Sequence, residues 1–191
     1  DTAAEQWTAR YVHETIALAF AITEEAVEDN LYDTLSKRYT AALARSMAYT
    51  KQVKAANVLN NAFNSSFTGG DGKELCATDH PTLMAGTQAN EPSTAADLSE
   101  SSLENAIIQI NGFADDRDIP VAVQARKLVI PKDLAFTAQR ILKSDLRVGT
   151  ADNDTNALRT MGMFPEGYVV NHYLTDTDAF FILTDLTNTG L

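Results

Sequence analysis

The sequence predicts an α+β fold organised around one very long helix. Three patterns indicate this class: residues 24–63 contain neither glycine nor proline, residues 10–22 alternate with period two, and short helical and strand-like segments follow residue 98. The first pattern is typical of a helix, the second of a strand, and the third of a mixed region. The expected order is therefore a strand, a long helix, a loop and an α/β region.

Residues 10–22 are the first predicted element, a strand. The apolar positions are the even ones, Val12, Ile16, Leu18, Phe20 and Ile22, and the odd positions are small or polar. Alternation that includes β-branched and aromatic residues favours a strand with one buried face. Three alanines on the other face leave a helix as the alternative.

The second predicted element is a helix over residues 24–63. Good helix formers are frequent, and Thr23 is placed to cap the helix ahead of Glu24 and Glu25. Apolar or small residues at steps of three and four predict its buried stripe: Val27, Leu31, Leu35, Tyr39, Ala42, Ser46, Tyr49, Val53, Ala56 and Phe63. A helix of this length would span about 60 Å, so a break is expected, near Asn57–Asn61.

A turn and a long loop are predicted after the helix. Asn64–Ser66 ends the helix, and Gly69–Gly72 has the composition of a tight turn. Residues 73–98 are rich in Thr, Ala, Pro, Gly and Asn and have no clear period. Loops of this length are uncommon in compact domains, so this one is expected to have a role or to pack on a neighbour.

A second helix is predicted to begin near Ser99. Leu98 and Leu103 have the spacing of a hydrophobic staple, and Ser101 with Glu104 offers an alternative capping box. Its predicted buried stripe is Leu103, Ile107, Ile110 and Phe113.

The last third of the chain is predicted as short strands around a third helix. Pro131 opens this helix, which extends to about Ser144. Its predicted inward-facing residues are Leu134, Ala138, Ile141 and Leu142. The predicted strands are residues 119–123, 127–130, 168–170 and 179–183, with a turn at residues 115–118 and a loop at residues 148–167.

Length and composition exclude several classes of protein. The chain has 191 residues, a net charge of −11 and one cysteine, Cys76. That length fits one medium domain, or one and a half, with a sizeable core. A single cysteine excludes an intrachain disulfide and a four-cysteine zinc site. The longest apolar run, Ile16–Ile22, is far shorter than the roughly 20 residues of a membrane-spanning helix, and the acidic balance argues against a dedicated nucleic-acid binder.

Charge is distributed unevenly along the chain. Residues 64–125 contain 10 acidic and 2 basic residues, whereas residues 126–147 contain 2 acidic and 6 basic residues. One interpretation is a solvated acidic surface. The other is that acidic and basic patches meet between copies of the chain, where charge complementarity sets register and partner choice.

The two ends of the sequence suggest a longer polypeptide. The first residue is Asp1, with no methionine before it, and Leu191 follows shortly after the apolar run Phe180–Leu183. The chain is therefore expected to be a segment of a larger protein.

Cys76, Asp79 and His80 are the closest set of chemically reactive side chains in the sequence. They offer a thiolate, a carboxylate and an imidazole within five residues. A catalytic zinc site needs three ligands held by a rigid frame, and no paired-histidine motif is present. Local hydrogen bonds in a loop before Pro81 are the favoured interpretation.

The other motif-like strings fail at decisive positions. The pattern Asp152-x-Asp154-x-Asn156 has Ala157 where a calcium loop needs glycine. The glycine-rich string ending at Lys73 lacks the serine or threonine of a phosphate-binding loop. The acidic residues Asp115, Asp116 and Asp118 fit a solvent-exposed turn. The sequence therefore predicts no enzyme and no catalytic, cofactor-binding or metal-binding residues.

Five strings in order carry a resemblance to a known family. They are ITEEAVEDNLYDTLSKRYTAALARSMAYTKQVKAANVLNNAFN, GGDGKELCATDHP, DLSESSLENAIIQI, KLVIPKDLAFTAQRILKSD and YLTDTDAFFIL. Together they resemble a tailed-bacteriophage major capsid protein of the Hong Kong ninety-seven type, with Mu-like head subunits among its relatives. The similarity extends over nearly the whole chain.

The resemblance implies a place for each part of the chain. Residues 1–22 correspond to the end of an extended loop with its returning strand, residues 23–63 to the spine helix of the peripheral domain, and residues 64–191 to part of the axial domain. It implies a structural protein without cofactors, whose pentamers and hexamers form an icosahedral shell around double-stranded DNA. The implied partners are other copies, scaffold and portal proteins and a decoration protein, with assembly in the bacterial host cytoplasm and no membrane.

Three alternatives belong to other classes. The first is an encapsulin-like shell with a protein cargo, the second a metal-dependent hydrolase that uses Cys76, Asp79 and His80, and the third a tail or connector protein with a long helix.

Overall fold

The computed structural model describes residues 7–10, 12–29, 31–83, 86–115, 117–147 and 154–185. The α-helices in these ranges are α1 Glu24–Glu28, α2 Tyr32–Asn60, α3 Glu100–Asn111, α4 Ala135–Lys143 and α5 Ala157–Thr160. The strands are β1 His80–Pro81, β2 Thr87–Gln88, β3 Ala125–Ile130, β4 Tyr168–Val170 and β5 Phe181–Thr184. This mixture of helices and small sheets agrees with the predicted α+β class.

The chain divides into two compact units. Arg10–Val58 forms the first, called here the helical unit, and the described residues before Arg10 and from Leu59 onward form the second, the sheet unit. The domain boundaries predicted after residues 22 and 63 stay a prediction.

The predicted long helix is present but is broken at a different place. α1 ends at Glu28 with Asp29 as its C-cap, and α2 continues for 29 residues to Asn60. One break therefore lies near the start, where none was predicted, and the α-helix ends at Asn60, within the stretch Asn57–Asn61, instead of continuing to residue 63. Acidic residues at the end of α1 oppose the helix dipole, and Asp favours capping positions over helix interiors. Thr23 is the N-cap of α1, although its side chain makes no capping hydrogen bond.

The covered stripe of α2 is rotated from the predicted one in the middle of the helix. Tyr39, Ala42, Ser46 and Tyr49 were expected to be covered, but all four are exposed. The residues that are partly covered there are Leu43, Met47 and Thr50. The predicted positions Leu35, Val53 and Ala56 are correct, and Ala56 is fully buried. Alanine occupies so many positions that period alone does not fix the phase of the stripe.

The strand predicted over residues 10–22 is not formed. Residues 12–22 belong to no helix or strand, and no strand of the described chain pairs with them. A strand needs a neighbour to satisfy its backbone N–H and C=O groups. The period-two pattern was therefore insufficient to predict a strand. Alternation indicates which residues share one side of an extended segment, but it does not show that a second strand pairs with that segment.

Strand β3 is the centre of the sheet unit. It pairs in parallel with β4 and antiparallel with β5. Leu128 and Ile130 are buried in the main core, and Val129 is buried in a second cluster that includes Ala62 and Phe181. Burial on both faces explains the uninterrupted apolar run that predicted this strand.

The predicted strands differ in outcome. Residues 127–130 and 168–170 are confirmed as parts of β3 and β4, and the strand expected at residues 179–183 is present as β5. The strand predicted at residues 119–123 is wrong, because only an isolated bridge between Ala114 and Pro120 forms there. Proline has no N–H group for a ladder of hydrogen bonds.

Helix α3 confirms the predicted start and three of the four predicted buried residues; the fourth, Phe113, lies beyond its end and is partly buried. Ser99 is the N-cap, and its side chain and that of Ser102 each accept a hydrogen bond from the other's backbone N–H. The capping box is thus Ser99–Ser102 and not Ser101–Glu104. The buried residues include Leu103, Ile107 and Ile110, and Leu98 joins the same core.

Helix α4 packs its predicted residues into the main core. Pro131 is followed by a short 3₁₀ turn, Lys132–Leu134, before the α-helix begins at Ala135. Ala138, Ile141 and Leu142 are buried as predicted, and Leu134 packs against them partly covered.

The long connections contain more structure than predicted. The Gly69–Gly72 turn is confirmed by the N–H of Gly72 donating to the Gly69 carbonyl at 3.2 Å, with Gly72 at φ +80°. The loop at residues 73–98 contains the β1–β2 pair, and the loop predicted at residues 148–167 contains α5. Residues 148–153, including Gly149, lie outside the described ranges.

Among the helices of the described residues, none has the length and hydropathy of a membrane span.

Asn156 joins α4 to α5 from inside the protein. Its side chain is almost fully buried, and its Nδ2 donates to the carbonyls of Ile141 and Ser144, the latter at 3.1 Å. Its Oδ1 accepts from the backbone N–H of Arg159 at 3.3 Å. The side-chain amide of Asn156 thus bonds carbonyls at the C-terminal end of α4 and a backbone N–H at the start of α5.

We expect Asn156→Leu to lower the free energy of unfolding by about 2–4 kcal/mol, because it leaves buried carbonyls unpaired and removes a helix cap. Urea denaturation followed by circular dichroism measures this change. Asn111→Ala, at an exposed position, should change stability by less than about 0.5 kcal/mol. Equal effects of both substitutions would contradict the role given to Asn156.

Candidate interaction surfaces

Cys76, Asp79 and His80 make separate local contacts and do not form one site. The carboxylate of Asp79 pairs with Lys73, and Nδ1 of His80 lies 2.6 Å from Oδ2 of Asp71. In the described chain, no hydrogen bond or ion pair joins the Cys76 side chain to Asp79 or His80. The geometry required of a hydrolase that uses these three side chains is therefore not present.

The thiol of Cys76 is held in its neutral form. Burial, and then the charge of Glu91, raise its pKa from 9.0 to about 11. The thiolate is the reactive form of cysteine. Cys76 is therefore a weak nucleophile at neutral pH and contributes to the second core cluster, beside Ala62 and Leu59.

The loop around Cys76 has an excess of negative charge. Burial raises the pKa of Asp71, but hydrogen bonds from His80 and from the backbone N–H of Lys73 outweigh this effect and leave the pKa below its ordinary value. Burial, and then the charge of Glu74, raise the pKa of Glu91. Like charges therefore crowd one another here, as expected for an acidic surface.

No candidate metal centre is found in the described part of the chain, where no three His, Cys, Asp or Glu side chains converge on one point. Asn156, from the incomplete calcium pattern, is used to cap α5, and Asp152 lies outside the described residues. In the acidic turn, Asp115 accepts from the N–H groups of Arg117 and Ile119 at 2.8 and 2.9 Å. Asp116 lies outside the described residues.

In the helical unit, an extended segment lies antiparallel to α2. Glu14 pairs with Lys54 at 3.2 Å, and the ring centroids of Phe20 and Tyr39 are 5.6 Å apart. Six residues of extended chain reach roughly 20 Å, and the 15 helical residues between Tyr39 and Lys54 rise about 22 Å. The segment is therefore almost fully extended along the helix.

A groove of about 500 Å³ separates this segment from α2. It is lined on one side by Val12, Glu14 and Ile16 and on the other by α2 residues that include Met47 and Thr50. The buried face that the period-two pattern favoured is not formed, although Val12, Glu14 and Ile16 lie on the side of the groove opposite α2. They stay largely accessible nevertheless: Val12 is 76% exposed and Ile16 is 43% exposed.

Large apolar side chains are more often exposed than buried among the described residues. Twenty-two are exposed, whereas 13 leucine, isoleucine, valine and phenylalanine side chains are buried. Single exposed apolar residues are normal on proteins, but many together mark interaction surfaces. The helical unit contributes Val12, Ile16, Leu18, Phe20, Val27, Leu31, Tyr32, Tyr39, Tyr49 and Val58.

The outer face of α4 is the sharpest such surface in the sheet unit. Phe136 is 81% exposed, and Lys132, Arg140 and Lys143 lie at helical spacing around it. An exposed aromatic ring among cations has the composition of an interface centre with its polar rim. The sequence contained this signal as a basic segment, but it did not show that Phe136 is turned outward.

The family model described as phage capsid protein matches residues 7–191. The chain belongs to this family. Comparison with curated proteins gives no match, and comparison with solved structures gives none.

A phage capsid protein is a structural component of the virion, and this agrees with the surfaces described above. The exposed apolar residues of both units are side chains that contacts with other proteins could cover. Family membership supports the sequence-based expectation of a structural and not a catalytic role.

We expect Cys76 in the folded capsid protein to be alkylated at pH 8 on the order of 100-fold more slowly than an ordinary thiol, because its thiolate fraction is lower by that factor. Glu91→Gln removes a negative charge, lowers the pKa of Cys76 and should speed alkylation. Iodoacetamide labelling followed by mass spectrometry gives the rates, with the urea-unfolded chain as control. Fast alkylation of the folded chain would contradict the burial of Cys76.

Proposed function

We propose that this capsid protein is the major head subunit of a tailed bacteriophage, of the Hong Kong ninety-seven type with Mu-like relatives. Its pentamers and hexamers tile an icosahedral shell that encloses double-stranded DNA. The other proposed partners are scaffold, portal and decoration proteins, and assembly takes place in the bacterial host cytoplasm. The family match together with the exposed apolar surfaces supports this proposal.

The main physical support is the apolar surface that the described residues leave uncovered. A subunit in a closed ring presents one face to its neighbour on one side and a different face to its neighbour on the other side. It therefore needs at least two separate surfaces that bind neighbouring subunits. The helical unit and the outer face of α4 each supply one, and they belong to different compact units.

The proposed roles of the segments follow the same division. Residues 1–22 act as the end of an extended loop that reaches a neighbouring subunit, residues 23–63 as the spine helix, and residues 64–191 as part of the axial domain. The segment from Glu14 to Phe20 is extended, and Val12 and Leu18 are exposed, which is suited to a reaching arm. A rigid helix of 29 residues, about 44 Å long, is suited to a spine.

Electron microscopy tests the proposal most directly. The chain is expressed together with the other head proteins, and we expect icosahedral particles that contain nuclease-protected DNA. Particles that contain protein cargo and no DNA would indicate an encapsulin-like shell. Tubes or isolated rings would indicate a tail or connector protein, and monomers with catalytic turnover would refute a structural role.

We expect Phe136→Ser to reduce particle yield at least about tenfold, since an exposed aromatic anchor contributes about 2 kcal/mol or more to an interface. The fold should be retained because the ring is 81% exposed, with a change in unfolding free energy within about 0.5 kcal/mol. Phe136→Leu keeps an apolar side chain and should keep most of the yield. Analytical ultracentrifugation and thermal unfolding report the two quantities, and wild-type assembly of Phe136→Ser would exclude α4 from the contact.

A further inference from the structure

Helix α2 has a cationic face that lies mostly apart from the apolar contacts described above; Lys51 stands at its edge, where it also lines the groove beside Val12 and Ile16. Residues 34–70 contain no acidic residue. The basic residues in this stretch are Lys37, Arg38, Arg45, Lys51 and Lys54. This is an unusual stretch in a chain with a net charge of −11. The positive charge of the helical unit is therefore concentrated on one helix.

Four of the five cations point in similar directions. At 100° per residue, Lys37, Arg38, Arg45 and Lys51 fall within an arc of about 140°. Arg38 and Arg45 are about 10 Å apart along the axis, and Lys51 follows about 9 Å further on. All four residues are exposed.

Three of these cations are not neutralised within the described chain. Lys37 pairs with Asp33 at 2.8 Å, and Lys54 pairs with Glu14. Arg38, Arg45 and Lys51 form no ion pair with any described residue. They are thus available to an external anion.

The other residues of this face are small or polar, and none is a large apolar residue. Between positions 34 and 55, the other residues in the arc are Thr34, Ala41, Ala44, Ala48, Gln52 and Ala55. Tyr49 borders the arc. A stable protein interface needs an apolar core, which this face does not supply. The α4 surface differs, because Phe136 stands among its cations.

A flat cationic face without large apolar residues fits a polyanion. Double-stranded DNA carries about one negative charge per 1.7 Å of its axis, so widely spaced cations find phosphates without a matched register. Binding through such contacts is weak, independent of sequence and sensitive to salt. Resting on the proposed function, we propose that this face of α2, defined by Arg38, Arg45 and Lys51, contacts the phosphate backbone of the enclosed double-stranded DNA.

The proposal is tested by fluorescence anisotropy of a 25-base-pair duplex of mixed sequence with the purified chain. Three phosphate contacts predict a slope of log K against log salt of about −2.7, which is a loss of roughly 40-fold between 50 and 200 mM salt. The triple variant Arg38→Gln, Arg45→Gln, Lys51→Gln should bind at least about 10-fold more weakly at 50 mM salt, with a slope near zero.

A charge-matched control uses Lys132→Gln in the 3₁₀ turn before α4, together with Arg140→Gln and Lys143→Gln on α4. Both triple variants change the net charge by the same amount, and glutamine preserves helix propensity. We expect the control to bind DNA within about threefold of wild type and to keep its salt slope. Arg38→Lys with Arg45→Lys should also retain binding, because phosphate contacts depend on charge. Circular dichroism confirms that each variant is folded.

Three outcomes would overturn the proposal: wild type that does not bind DNA at 50 mM salt, an α2 variant that binds like wild type, and an α4 control that loses as much binding as the α2 variant.

The same samples are examined by ultracentrifugation for assembly. Loss of assembly in the α2 variant, with DNA binding unchanged, would make the face a subunit contact. Failure of wild type to form particles when the other head proteins are supplied, with the expected DNA binding, would contradict the proposed function and leave the DNA contact supported.

Discussion

Burial of β3 on both faces is the constraint on which the sheet unit depends. Leu128 and Ile130 require a cover on one face, and Val129 requires a cover on the other. Helices α3 and α4 supply the first, and the chain that follows α2, with Ala62, supplies the second together with Phe181. A strand with water on either face would lose this burial, worth about 1.5–3 kcal/mol for each large side chain.

The same constraint positions the surfaces that face outward. Because α4 presents Ala138, Ile141 and Leu142 to the core, its opposite side must carry Phe136, Arg140 and Lys143 outward. At the end of α2, Nδ2 of Asn60 donates to the carbonyl of Tyr173 at 3.1 Å, and the N–H of Thr175 donates to Oδ1 of Asn60 at 3.0 Å. Asn60, which belongs to the sheet unit, is thus bonded to the chain leading to β5. The packing of α4 against β3 thus determines both which residues of α4 are in the core and which are exposed.

The helical unit follows a different principle, because little of it is buried. Its contacts include exposed ion pairs, a ring contact and a groove, and exposed ion pairs add little stability. The large apolar residues along it stay accessible. This agrees with a phage capsid protein, because apolar surface that is already buried within one subunit cannot be buried against a neighbouring subunit.

Strong local signals predicted their elements well. Ser99 before a helical period, Pro131 before α4 and the apolar run of β3 each act within a few residues, so the sequence was sufficient for them. The strand at residues 10–22 and the phase of the α2 stripe were wrong because both depend on what lies beside the segment. Alternation and helical period are compatible with several partners, and alanine-rich helices allow several phases.

The sequence by itself determined the α+β class, the long helix, the core faces of α3 and α4, and the family, because each rests on local propensity or on ordered strings of residues. Only the tertiary structure decided that Cys76, Asp79 and His80 form no common site, that Phe136 is outward and that Arg38, Arg45 and Lys51 stay unpaired among the described residues. The physical reason is that exposure and pairing are properties of neighbours in space. A sequence records which side chains are present, whereas folding decides which of them are left for a partner.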